Sequence, residues 1–163
     1  MDNDADKMQK FDFLLGDWRL EYDVPKSSFG QADSGTGEGT IRKILGGHYV
    51  QFDYRAALKR TGTGSARGLF AWDRAAGIYR YWWFEDSGSF LTAAADFVDA
   101  DTLRLTWHDT LLVQTFKKQG PDRMVLRMEQ PVPGGGYELI LEVRFTRKKG
   151  ALRGPGKRLG RKT

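Results

Sequence analysis

A chain of 163 residues, 40% hydrophobic and 29% charged, has the size and composition of one globular domain able to bury roughly 70% of its unfolded surface. Cysteine is absent, which excludes disulfides and thiol chemistry, and no run of about 18 apolar residues occurs that would form a transmembrane helix. The N-terminus lacks a basic stretch followed by an apolar run, so the expected location is cytoplasmic.

The net charge of +5 is unevenly placed. Residues 147–163 hold eight Lys and Arg and no acid, and removing those eight leaves residues 1–146 at −3. The chain divides into a folded domain over residues 1–147 and a basic tail over 148–163. That tail is rich in Gly and Pro and has only Leu152 and Leu159 as large apolar groups. Such a composition buries too little to order itself, and it reads as a solvated extension, or as a weak, salt-sensitive contact for anionic surfaces. The acidic balance of the domain argues against specific nucleic-acid binding.

The elements follow in chain order. Met8, Phe11, Leu14 and Leu15 recur at helical spacing and predict one or two helical turns ending at Gly16, packed as a lid or plug. The period then changes to two: Trp18, Leu20, Tyr22 and Val24 alternate with Arg19, Glu21 and Asp23, a strand with one dry face. Pro25 and the Ser/Gly/Asp-rich stretch 27–35 predict the longest loop, placed at an open mouth. Further strands are predicted over residues 36–45, 48–58, 65–72, 78–84, 90–98, 103–107, 111–117, 124–129 and 137–145, separated by turn-forming residues. Ten strands joined by short hairpins give an all-β, antiparallel up-and-down meander that must close to protect its edges.

A closed barrel of this size encloses more room than its side chains fill, so a small apolar or amphipathic ligand is the expected partner. Parity along the strands predicts an inward set that includes Tyr22, then His48, Phe52 and Tyr54, then Trp107, and Tyr137 through Phe145 at alternate positions. In the fifth strand both faces are large: Ile78, Trp82 and Phe84 on one, Tyr79, Tyr81 and Trp83 on the other. One of them must be covered from outside, and a second copy of the chain is the economical cover, giving a homodimer. Arg67 and Arg80 fall among apolar neighbours and need an anion, either Asp73, Glu85 or Asp96 or a ligand carboxylate. The candidate ligand-binding residues are therefore Tyr22, His48, Phe52, Tyr54, Arg67, Arg80, Trp82 and Trp107.

Catalytic motifs are weak. Neighbours on a strand face opposite ways, so His108 and Asp109 cannot work together without a turn. Gly62 to Gly68 lacks the Lys-Ser/Thr of a phosphate loop, and Ser65 and Ser87 lack a nucleophile elbow. Two histidines without cysteine make no zinc site, and no metal or other cofactor is expected. The alternative to a binding protein is a cavity enzyme of isomerase or lyase type, using His48 with Arg67 or Arg80. A third reading is a dimeric interaction module with a filled barrel.

A short helix leading into Leu14-Leu15-Gly16-Asp17-Trp18 resembles the opening of lipocalins and their calycin relatives. Together with Gly68-Leu69-Phe70-Ala71-Trp72-Asp73, the aromatic strand 78–84 and the turn Asp86-Ser87-Gly88, the chain is similar over residues 8–147 to the bacterial domain-of-unknown-function 1579 type, a lipocalin-like barrel related in fold to nitrobindin and fatty-acid-binding proteins. The resemblance implies that Gly16, Trp18 and a basic residue of the last strand form the barrel closure, with Arg147 stacked on Trp18. Nitrobindin-type barrels hold haem through a late histidine, absent here. Fatty-acid-binding proteins use R-x-Y, where this chain reads Arg144-Phe145-Thr146.

Overall fold

The computed structural model describes residues 4–149. Helix α1 (Asp4–Met8) and a 3-10 turn (Gln9–Leu14) lead into ten strands: β1 (Gly16–Val24), β2 (Asp33–Ile44), β3 (Tyr49–Leu58), β4 (Gly62–Asp73), β5 (Ile78–Glu85), β6 (Phe90–Asp99), β7 (Thr102–Trp107), β8 (Val113–Gly120), β9 (Arg123–Pro131) and β10 (Tyr137–Arg147). Each strand pairs antiparallel with its sequence neighbours, and β1 pairs with β10 to close the barrel. Closure leaves no free sheet edge, which answers the hazard that a ten-strand meander would otherwise present. The predicted order of elements is the observed one.

The barrel has two unlike ends. The turns β2–β3, β4–β5, β6–β7 and β8–β9 lie with the N-terminal segment at one end, where Met8, Phe11 and Leu14 are fully buried. Phe11 packs against Phe70, Tyr79 and Phe97 at centroid distances of 4.9–5.2 Å. The plug is fastened by Tyr79, whose hydroxyl donates to the Lys7 carbonyl at 2.7 Å, by Lys7 over the Trp72 ring, and by an Arg74–Asp4 ion pair.

Closure by the first and last strands follows the implied arrangement. Trp18 lies opposite Arg147 in the β1–β10 register, and the guanidinium carbon stands 4.2 Å from the indole centroid. The indole N–H donates to the Leu14 carbonyl at 2.8 Å, and Arg147 donates to the Leu15 carbonyl. Gly16 is required here. Its φ is +136°, and a Cβ at this position would stand 2.2 Å from an Arg147 guanidinium nitrogen.

The segments that carry the family resemblance also have local physical reasons. Gly68 leaves room for the Tyr81 hydroxyl, which would lie 2.2 Å from a Cβ at residue 68. Asp73 accepts from Arg80 at 2.6 Å and from the Ala76 N–H at 3.0 Å, which holds its carboxyl below the usual carboxylate range and pins the β4–β5 turn. Asp86 accepts from the Ser65 N–H at 2.9 Å and ties the β5–β6 turn back to β4.

Three expectations about strand faces change. β5 turns Tyr79, Tyr81 and Trp83 inward and leaves Ile78, Arg80, Trp82 and Phe84 on the outer wall. The expected inward run of β10 holds only from Leu141 to Phe145, because a bulge between Leu139 and Leu141 flips the parity. Tyr137 is exposed as a result, and Glu138 comes opposite the buried Gln130. His48 does not open a strand: it follows the 3-10 turn Leu45–Gly47 and is exposed at the plugged end. Of the basic tail, only residues 148 and 149 fall within the described range. The Lys148 N–H donates to the Asp17 carbonyl at 2.8 Å.

Candidate ligand cavity

The side chains that fill the barrel thin out toward the end opposite the plug. Below, Val50, Phe70, Leu103, Leu105 and Phe116 form a solid layer. Above it lies a cavity of about 180 Å³, walled by Tyr22 of β1, Phe52 and Tyr54 of β3, Trp83 of β5, Trp107 of β7, Phe145 of β10 and aliphatic residues of β6, β9 and β10. Its polar lining is Gln114, Glu85 and the two tyrosine hydroxyls. The void is apolar with few polar groups, the usual character of a small-molecule site.

The aromatic wall is continuous. Tyr54 stacks on Trp83 with centroids 5.2 Å apart and planes at 17°, and Tyr22 lies 6.2 Å from Tyr54. Phe52 reaches both Tyr54 and Trp83, at 6.0 and 6.2 Å. Burial pushes the Tyr22 hydroxyl far above the ordinary tyrosine range. Burial, reinforced by the nearby charges of Glu85 and Asp86, raises that of Tyr54. Both phenols are therefore neutral hydrogen-bonding groups at physiological pH. Deeper in, the Tyr81 hydroxyl and the Trp107 indole N–H are buried without a hydrogen-bond partner among the described residues.

The mouth is framed by the β1–β2 loop. Ser28 of that loop donates to Glu138, while the Gln130 amide donates to Ser28 at 3.0 Å and to Glu138 as well. These donors hold the Glu138 carboxyl below the usual range, Ser28 first and Gln130 second.

Of the eight candidate residues, the structure brings four together: Tyr22, Phe52, Tyr54 and Trp107. The other four stand outside the cavity. Arg67 lies on the outer wall and pairs with Asp53 at 2.5 Å, and Arg80 pairs there with Asp73 at 2.6 Å, so the anion each needed is internal. Trp82 shares that outer face, and His48 is at the opposite end. None of the three therefore faces the cavity, and a cavity reaction using His48 with either arginine has no support in this geometry. Trp83, Glu85 and Gln114 are lining residues that strand parity had not selected. Arg80 was the available signal, since a charged residue beside Trp82 and Phe84 marks their face as the wet one.

The cavity lining holds no imidazole, thiol or serine or threonine hydroxyl. Among the described residues no group of three His, Cys, Asp or Glu is placed to hold a metal ion. No helix of the described residues is long and apolar enough to cross a membrane. A wider groove of about 590 Å³ on the outer wall contains Glu38, Asp53, Arg67 and Lys148, whose charges pair with one another.

The fold is shared with solved structures of low sequence identity. Rv2717c from M. tuberculosis superposes with a TM-score of 0.62 at 15% identity, covering 87% of this chain and 97% of that one. The S-type phycobiliprotein lyase CPES from Guillardia theta superposes with a TM-score of 0.52 at 11% identity, covering 87% and 92%. At these identities the likeness extends to the fold alone. No curated protein matches the chain. A family model described as a protein of unknown function, DUF1579, matches residues 5–147, and the chain with its lipocalin-like ten-stranded barrel belongs to that family.

Proposed function

We propose that the protein binds a small apolar or amphipathic molecule in the open half of its barrel and acts as a carrier or sensor of that molecule. The observation that supports this is the contrast in filling. One half of the interior is occupied by fully buried core side chains, while the other keeps an apolar void of about 180 Å³ lined by six aromatic residues. An apolar cavity near 150 Å³ accepts a benzene-sized guest, so the ligand is about one aromatic ring in size or slightly larger. That is too small for haem or a long acyl chain. The lining offers hydrogen bonds and stacking, and its only groups capable of covalent or acid–base chemistry are the Glu85 carboxylate and two neutral phenols, with no imidazole, thiol, amine or aliphatic hydroxyl, which favours binding over turnover.

Isothermal titration with indole tests the reading. Saturable binding is expected in the wild type, with at least tenfold weaker binding in Leu126→Trp, whose indole fills the lumen. Undetectable binding in the wild type, or equal affinity in a folded variant, would contradict it.

A separate observation favours a second, compatible reading, a homodimer through the outer wall. Phe84 and Phe90 face each other across β5 and β6 and are 44% and 70% exposed, beside Trp82. Sedimentation should give a dimer for the wild type and a monomer for Phe90→Lys; a monomeric wild type removes this reading.

A further inference from the structure

The cavity also carries information about the charge of its guest, an inference that rests on the ligand-binding reading above. Aromatic faces are negative, and six aromatic residues line the lumen. The only ionisable side chain in the lining besides the two phenols is Glu85, at the end of β5 on the mouth side. Its carboxylate is held in place, accepting from the Trp83 indole N–H at 3.1 Å and from the Ser87 hydroxyl at 3.3 Å. It therefore stands beside the Tyr54–Trp83 stack, at an exposed position on the rim. Asp86, the next residue, adds a second negative charge at the same rim.

No lysine, arginine or histidine lines the cavity. The two guanidinium groups whose sequence positions suggested a carboxylate clamp, Arg67 and Arg80, lie outside and are neutralised by Asp53 and Asp73. An anion entering the lumen would give up its hydration and find neutral hydrogen-bond donors and ring faces beside a carboxylate, with no compensating positive charge. A cation meets attraction from both. We propose that the ligand is a small organic cation, an alkylammonium carrying an apolar body, with its ammonium against Trp83 and Glu85 at the mouth and its apolar part toward Leu126 and Val143. The site so described selects by charge at the rim and by size within.

Three molecules of nearly one shape and different charge test this: choline, 3,3-dimethylbutan-1-ol and 3,3-dimethylbutanoate, titrated at low ionic strength. Choline is expected to bind about tenfold more tightly than the alcohol, and the carboxylate more weakly than either. Glu85 is exposed and outside the core, so Glu85→Gln should fold normally. It should cut the advantage of choline over the alcohol several-fold. Choline binding no tighter than the alcohol, a carboxylate that binds best, or a ratio unmoved by Glu85→Gln would each overturn the inference. If indole still binds the wild type, the ligand-binding reading survives that result. If indole fails as well, both fall together.

Discussion

At the plugged end, the large polar aromatic is provided for: the Trp18 indole N–H donates to Leu14, its face carries Arg147, and its edge meets Phe145 at 6.0 Å. At the open end, Trp107 is equally large and nearly as buried, yet its N–H has no partner among the described residues and its neighbours leave a void. The same barrel thus uses tryptophan in two ways. One is a structural stopper whose every contact contributes to stability, and the other belongs to a wall whose groups are not all engaged. Buried polar atoms are rarely left unpaired without a reason, so this asymmetry distinguishes the end that closes the barrel from the end that holds the cavity.

The largest effect should come from the stopper. Trp18→Ala is expected to destabilise the protein by about 3–5 kcal/mol, the range for removing a buried aromatic, measured by urea denaturation with unchanged m. If that loss were under about 1 kcal/mol, Trp18 would not be the closure. Gly16→Ala should cost more than about 1 kcal/mol, because the added methyl meets Arg147 and the left-handed backbone disfavours any side chain. In an Arg147→Ala background the clash is gone, so the cost of Gly16→Ala should shrink to the backbone part, a non-additivity that a double-mutant cycle reads directly.

The open half should respond differently, with little change at neutral pH. The folded Tyr22 hydroxyl titrates far above the unfolded value of about 10, so its contribution is fully present below pH 10. It is lost as pH rises beyond that, because the unfolded chain ionises first. Stability should therefore fall above pH about 10, and Tyr22→Phe should lessen that fall by up to about 1.4 kcal/mol per pH unit, with denaturation at pH 7 and pH 11 as the measurement. An identical alkaline slope in wild type and variant would mean that Tyr22 is not sequestered.

The order of strands and the plug were legible in the sequence because each rests on a local signal, period-two alternation, helical spacing or turn glycines, whereas the Trp18–Arg147 closure came from the family resemblance. The cavity was only half legible. Tyr22, Phe52, Tyr54 and Trp107 follow from alternation within unambiguous strands. β5 defeated it, because large residues occupy both faces and the period of two does not say which is inside. His48 was lost to a two-residue matter: Gly46 and Gly47, both at positive φ, make the β2–β3 connection a tight turn over Leu45–Gly47, and the histidine follows that turn before β3 begins. The β10 bulge is likewise invisible to periodicity, and it moves Tyr137 from the expected interior to the surface.

Methionine methyl groups sample both halves: Met8 and Met124 are buried at the plugged end, and Met128 lines the cavity. Titrating methyl-labelled protein with indole by NMR therefore tests the division directly. The Met128 resonance should shift progressively to saturation while those of Met8 and Met124 stay fixed. Uniform small changes at all three, or shifts confined to Met8 and Met124, would contradict a ligand site in the open half.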